Sequence, residues 1–236
     1  ILVGRIFGPA GILGISSMAI ICAVTNSNGS VYYALMQTYG DDIDCACMPI
    51  LAINDGPFLT LVALGASGLA DIPIMSLVAA LVPIIAGMIL GNLDNKVTEF
   101  FGPVGDAIIP FTGFSLGAGI DLANVLKGGV SGIVLGLITI FIGGGFIYLC
   151  DHFIGRRPGY AAWAVATTAG NAVAVPAVIG TADPAWAEFV GTATVQVAAS
   201  TVLSALLVPF IVSWWAKKFG CPKFPKEAKA EKASGK

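Results

Sequence analysis

Apolar residues along this chain gather into seven long stretches separated by short polar links. They run from Gly11 to about Tyr39, about Cys45 to Ser67, Ile72 to Leu93, Val104 to Ile120, Val130 to Phe153, Tyr160 to Thr181 and Ala185 to Trp215. Each approaches the roughly 20 residues that carry a helix across a bilayer. Apolar and polar residues do not alternate with period two, so spanning helices are predicted rather than a barrel. The links read "YGDDID", "GLADIP", "LDNKVTEF", "DLANVLKGG", "HFIGRRPG" and "TADP". Residues 1–218 are expected to form one transmembrane unit. Residues 219–236 are lysine-rich, lack apolar residues for a core, and are expected to be a disordered basic tail.

Two of the apolar stretches are interrupted. In "AVTNSNGSVYYALM", Ala23–Met36, six small polar residues run from Thr25 to Ser30. In "AVATTAGNAVAVP", Ala164–Pro176, the interruption holds Thr167, Thr168, Gly170 and Asn171. A shift of 141 positions lays Ala23 on Ala164, Val24 on Val165, Asn26 on Thr167 and Gly29 on Gly170. It also lays Asp55 on Gln196, each in the middle of the next helix. An offset of five helices reverses the direction of crossing, which predicts an inverted repeat. Broken helices at matching places in two inverted halves point to a transporter's binding site.

Unwound backbone cannot face lipid and must line a buried or wet cavity. Half-helix N-termini offer free N–H groups and partial positive charge to a carboxylate, and freed carbonyls with Asn and Thr side chains suit hydroxyls or a cation. Thr25, Asn26, Asn28, Gly29, Thr167, Thr168, Gly170 and Asn171 are therefore candidate substrate residues. Asp55, in "AINDGPF", is a carboxylate at the centre of a span, which is costly and reads as functional by default. Burial favours its neutral form, so it could take up and release a proton. Asn54 is expected to line the same cavity. Gln196 and Thr192, with Thr194 and Ser200 on the same polar face of the last helix, are cavity-lining candidates or interhelical hydrogen-bonding groups. Asp106 and Asp121 read as interfacial, and His152 as a solvated residue at a loop edge.

Composition narrows the classes. The chain is 56% hydrophobic and 11% charged, with a mean hydropathy of +0.88; soluble proteins carry about 25% charged residues. No basic patch in the helical region suggests nucleic acid. Cys45 and Cys47 lack a partner pair or a nearby histidine, so they read as small apolar filler and no metal or cofactor is expected. No Ser/His/Asp set, Walker loop or H-E-x-x-H appears, so neither an enzyme nor an ATPase is expected. Lysine and arginine bias assigns Lys96, Arg156, Arg157, Lys217 and Lys218 to the cytoplasmic side, with the C-terminus inside and the first residue outside. Gly128, Gly132 and Gly136 on the fifth helix, and Gly87 and Gly91 on the third, have the spacing that lets helices approach closely. The chain begins at Ile1 without a signal-peptide pattern and reads as a fragment.

"TNSNGSVYYALMQTYG", "INDGPFLTL", "GNLD…EFF" and "IPFTGFSLGAGIDL" occur in order, and through them the chain resembles the 2-keto-3-deoxygluconate permease family up to about Lys218. The resemblance implies proton-coupled uptake of that sugar acid across the bacterial inner membrane. It also implies ten helices in two inverted five-helix repeats, similar to the bile-acid/sodium symporters, of which seven would be present here. Thr25, Asn26, Asn28 and Gly29 match the family's first crossing, Asp55 its acidic "x-G-P" position, and Thr167, Thr168, Gly170 and Asn171 its second crossing. Where the family's second break is serine-rich, this chain has "TTAGNA". The partners expected are a small sugar acid and the lipid bilayer, with room for a homodimer. The rival readings are a sodium-coupled carboxylate or bile-acid symporter, with Asn26, Asn28, Thr167 and Gln196 on the ion, and a membrane scaffold that transports nothing.

Overall fold

The computed structural model describes residues 1–54, 56–118 and 129–225. Helices account for nearly all of its regular structure, and among the described residues there is no strand beyond two isolated bridges. In chain order the helices are α1 (Leu2–Phe7), α2 (Ser17–Val24), α3 (Gly29–Tyr39), α4 (Asp42–Ala46), α5 (Met48–Asn54), α6 (Pro57–Ser67), α7 (Ile74–Leu93) and α8 (Asn95–Ala118). After residue 128 come α9 (Gly129–Phe153), α10 (Tyr160–Val165), α11 (Asn171–Ala182) and α12 (Pro184–Phe219). Three of these, α7, α9 and α12, are long and apolar enough to cross a membrane. They match the third, fifth and seventh predicted segments.

The other segments differ instructively from continuous spans. The first and sixth are each two half-helices, as the polar interruptions predict. The second is also two, α5 and α6, because Gly56 sits at φ 138° and Pro57 opens the next helix. The fourth begins earlier than the hydrophobic pattern suggests. Asp94 is the one non-helical residue between α7 and α8; its carboxylate accepts the Lys96 N–H at 2.9 Å and its carbonyl the Val97 N–H at 2.9 Å. An aspartate in this position starts a helix by satisfying the first orphan donors, so "LDNKVTEF" is helix rather than loop. α9 contains a π-helical stretch, Ile138–Gly143.

α12 lies at the centre, against α9, α2, α10 and α11. Its tightest neighbour is α9, and the glycine ladder explains why. A Cβ on Gly132 would meet the Ala199 Cβ at 2.5 Å, and one on Gly136 would meet a Leu203 methyl at 2.8 Å. Among the described residues Gly87 and Gly91 do not act in this way: nothing lies within 4 Å of a Cβ on Gly87, and one on Gly91 would meet Thr98 Oγ1 at an ordinary 3.5 Å. None of the apolar window of α7 is buried against the described residues. The core on one side gathers Met18, Cys22, Leu61, Leu135, Ile179 and Val197.

Contacts between links agree with alternate crossings. "YGDDID" and "HFIGRRPG" are joined by ion pairs from Arg157 to Asp41 and Asp44. "GLADIP" and "TADP" are joined by Asp71 N–H donating to Asp183 Oδ2 at 2.9 Å and Trp186 Nε1 donating to the Leu69 carbonyl at 3.1 Å. The tail expected to be disordered starts as ordered chain. α12 runs to Phe219, Cys221 is buried, Phe224 packs on Tyr39 at 6.1 Å, and Lys223 donates to the Gln37 carbonyl. The aromatic and cysteine side chains supply apolar contact that the lysine count conceals. Residues 226–236 lie outside the described residues.

Candidate functional site

The two interruptions meet. Between α2 and α3 the chain is unwound from Thr25 to Asn28, and between α10 and α11 from Ala166 to Gly170. Ala169 N–H donates to the Asn26 carbonyl at 2.9 Å, and Asn28 N–H donates to Thr167 Oγ1 at 2.9 Å. Asn28 Oδ1 in turn accepts the Val31 N–H at 3.1 Å and starts α3. Backbone groups freed by one break are thus partly satisfied by the other, which is how irregular backbone survives inside a bilayer.

Each break is held from a helix beside it. Asn26 is fully buried; its amide donates to the Cys22 carbonyl at 2.8 Å and Thr60 Oγ1 at 3.0 Å, and its Oδ1 accepts the Gly56 N–H at 2.9 Å. Thr25 donates to the Ile21 carbonyl, so Thr60 supplies the proton of the 2.6 Å Thr25–Thr60 contact. Asn54 Nδ2 donates to Ser27 Oγ at 2.8 Å. At the second break Thr168 is fully buried, with its N–H on Ser204 Oγ at 2.9 Å and its hydroxyl 2.8 Å from Ser200 Oγ. Thr201 donates to the Ala169 carbonyl at 3.1 Å. Asn171 Oδ1 is buried and has no hydrogen-bond partner among the described residues. An orphaned buried acceptor is costly.

The predicted residues therefore divide. Thr25, Asn26, Asn28, Asn54, Thr167 and Thr168 converge through direct hydrogen bonds, and Gly29, Gly170 and Asn171 open the half-helices beside them. Asp55 lies outside the described residues, but its neighbours Asn54 and Gly56 both bond into the first break. Gln196 and Thr192 are elsewhere. Gln196 is buried, yet its Oε1 accepts the Ser16 N–H at 3.0 Å and its amide donates to the Gly14 carbonyl at 2.6 Å and Ser131 Oγ at 3.1 Å. It braces the start of α2 rather than the crossing. Thr192 is exposed. The side chains that meet the second break, Ser200 and Ser204, lie one and two turns beyond Gln196. Ser200 belongs to the polar face of the last helix that the sequence marks, whereas Ser204 does not stand out, because any helix tolerates a lone serine.

A second polar cluster escaped the sequence reading. Asp44 is buried, with Arg157 Nη1 at 3.0 Å and the Tyr160 hydroxyl donating at 2.6 Å. Arg157 Nη2 also reaches Asp41 at 3.2 Å, and the Tyr32 hydroxyl donates to the Asp44 carbonyl at 2.9 Å. The Asp44 N–H on its carboxylate, ahead of the nearby Arg157 charge, holds Asp41 below the usual carboxylate range. The signal was present: an acidic and a basic link four crossings apart, hence on one side.

Residues 1–221 match the family described as 2-keto-3-deoxygluconate permease. The chain belongs to the 2-keto-3-deoxygluconate permease family. "2-keto-3-deoxygluconate permease 1" of Salmonella typhimurium is 50% identical over 216 residues, 92% of this chain and 68% of that protein. The family's "2-keto-3-deoxygluconate permease" members of Xanthomonas euvesicatoria and Bacillus subtilis are 38% and 37% identical, over 89% and 87% of this chain and 66% and 62% of their own lengths. The chain spans about two thirds of the length of these family members. They are permeases by name, not enzymes. No solved structure matches the chain.

Proposed function

We propose that this chain is the substrate-binding part of a secondary transporter that takes up 2-keto-3-deoxygluconate with protons across the bacterial inner membrane. The observation that carries the reading is the meeting of two unwound segments, Thr25–Asn28 and Ala166–Gly170, each flanked by half-helices. In the proposed arrangement these are the crossing helices of two inverted repeats, and a complete protein has ten helices with a cytoplasmic C-terminus. The sugar acid's carboxylate faces the half-helix N-termini, and its hydroxyls donate to acceptors such as Asn171 Oδ1. Asp55 is the proton carrier in this reading; its chain neighbours Asn54 and Gly56 bond into the first break.

The hydrogen bonding favours proton over sodium. Of the four side chains a sodium site would draw on, Gln196 is engaged at Gly14 and Ser16, and Asn28 Oδ1 caps α3. A hard cation needs several free oxygens at one point. Uptake of labelled 2-keto-3-deoxygluconate into vesicles carrying the full-length transporter tests the reading, with an imposed proton gradient set against a sodium gradient. Proton-driven uptake that disappears in Asp55→Asn at matched expression supports it. Sodium-driven uptake, or none of this substrate, sinks it.

A further inference from the structure

A cavity of about 460 Å³ opens at the end of the molecule that carries the arginine link. Its walls are Tyr148 and His152 of α9, Arg156 and Arg157 of the link, and Trp215 and Phe219 of α12. The aromatic floor is firmly built. The Trp215 ring lies 5.0 Å from Tyr148 and 4.5 Å from Phe219, and its indole N–H donates to the Pro158 carbonyl at 2.7 Å. His152 stacks on Tyr148 at 5.6 Å.

The two arginines differ. Arg157 is engaged by Asp41 and Asp44. Arg156 is exposed and makes no hydrogen bond or ion pair among the described residues. Its backbone is left-handed, with φ 53°, a conformation that is strained for a residue other than glycine. Among the described residues no carboxylate lines the cavity. Lys218 adds a second cation nearby, 4.6 Å over the Trp214 ring. Beside the cavity the surface turns apolar: Phe153 is 73% and Ile154 82% exposed.

Cationic groups above an interfacial aromatic floor, flanked by an outward apolar surface, match one ligand chemistry. We propose that this cavity binds the phosphodiester headgroup of an anionic phospholipid, with Arg156 on the phosphate and the acyl chains along Phe153 and Ile154. Clustered Lys and Arg at a membrane end recognise acidic lipid in this way. The proposal needs only that the chain is embedded in a bilayer, and is independent of what it transports.

Tryptophan quenching by brominated lipid tests it, because Trp215 lines the cavity, with the Trp163 and Trp214 rings 5.4 and 5.9 Å from it, and Trp186 sits at the opposite end. The full-length protein in phosphatidylcholine vesicles is titrated with brominated phosphatidylglycerol or brominated phosphatidylcholine. The expected result is a preference of roughly fivefold for phosphatidylglycerol, the size of one interfacial cation's attraction. Arg156→Gly relieves the left-handed backbone, should leave the melting temperature unchanged or higher, and should abolish the preference. Equal quenching by the two lipids overturns the proposal, as does a preference that survives in Arg156→Gly. Millimolar inorganic phosphate should leave the quenching unaltered; displacement by it would assign the cavity to a soluble anion and overturn the lipid assignment.

Discussion

The backbone N–H of Ala169 donates to the backbone carbonyl of Asn26 over 2.9 Å. In continuous helices both groups would bond within their own segment. Here each helix is broken at that point and the breaks supply one another. The polar side chains around them, Thr60 on one side and Ser200 and Ser204 on the other, complete the hydrogen bonding that lipid cannot offer.

Asn26→Ala should destabilise the protein by about 1–3 kcal/mol, since it leaves the Gly56 N–H and the Cys22 carbonyl without partners. Thermal unfolding in detergent, followed by tryptophan fluorescence, reads the loss. Uptake should fall with it even where folded protein is matched. An unchanged melting temperature would show that Asn26 does not hold the break.

Gln196→Leu separates bracing from binding. It removes the contacts to Ser16, Gly14 and Ser131 and touches nothing at the crossing. The melting temperature should fall while the KM for substrate stays within about twofold, because a group that contacts no ligand contributes no uniform binding. A raised KM with normal melting would move Gln196 into the site.

Gly132→Ala should cost about 1–3 kcal/mol, as the new methyl must displace Ala199 across the α9–α12 contact. Gly87→Ala is the control on the unpacked ladder and should be neutral or stabilising by about 1 kcal/mol through helix propensity. Paired melting curves decide between packing and spacing alone.

Arg157→Ala should be among the more damaging changes on its side of the membrane. It strips the cation from the buried Asp44 carboxylate, at a cost of about 3–5 kcal/mol, nearer the lower figure because Arg157 is partly exposed. Arg157→Gln combined with Asp44→Asn should recover part of the loss. A double variant worse than the single one would contradict the pairing.

Acid should loosen the same cluster through Asp41. Its carboxyl is depressed in the fold, so its stabilising contribution is complete above the ordinary carboxylate value. That contribution is lost as pH falls through the lower folded value. In melting curves taken from neutral pH downward, Asp41→Asn should show a shallower acid-side decline than wild type. Parallel declines would exclude Asp41 as a source.

The membrane class, three of the long helices and both interruptions were legible in the sequence by itself, because they are one-dimensional signals. Apolar runs of bilayer length leave few folded alternatives, and a cluster of small polar residues inside such a run marks where the helix breaks, here over Thr25–Asn28. The family was legible too, through motifs such as "TNSNGS" and "INDGP". Tertiary structure alone decided which polar side chains meet. Thr60 and Ser204 look like ordinary helix residues until the crossing sets them against Asn26 and Thr168, and only there does Ser200, on the polar face of the last helix, find Thr168. Gln196, marked by its mid-helix position, turns instead toward Ser16. The Asp44–Arg157 pair joins links far apart in the chain, and only packing of α3 and α10 against α12 brings them within 3.0 Å. A hydrogen bond acts over about 3 Å, and hydrophobic patterning does not fix the rotation of one helix against another to that distance.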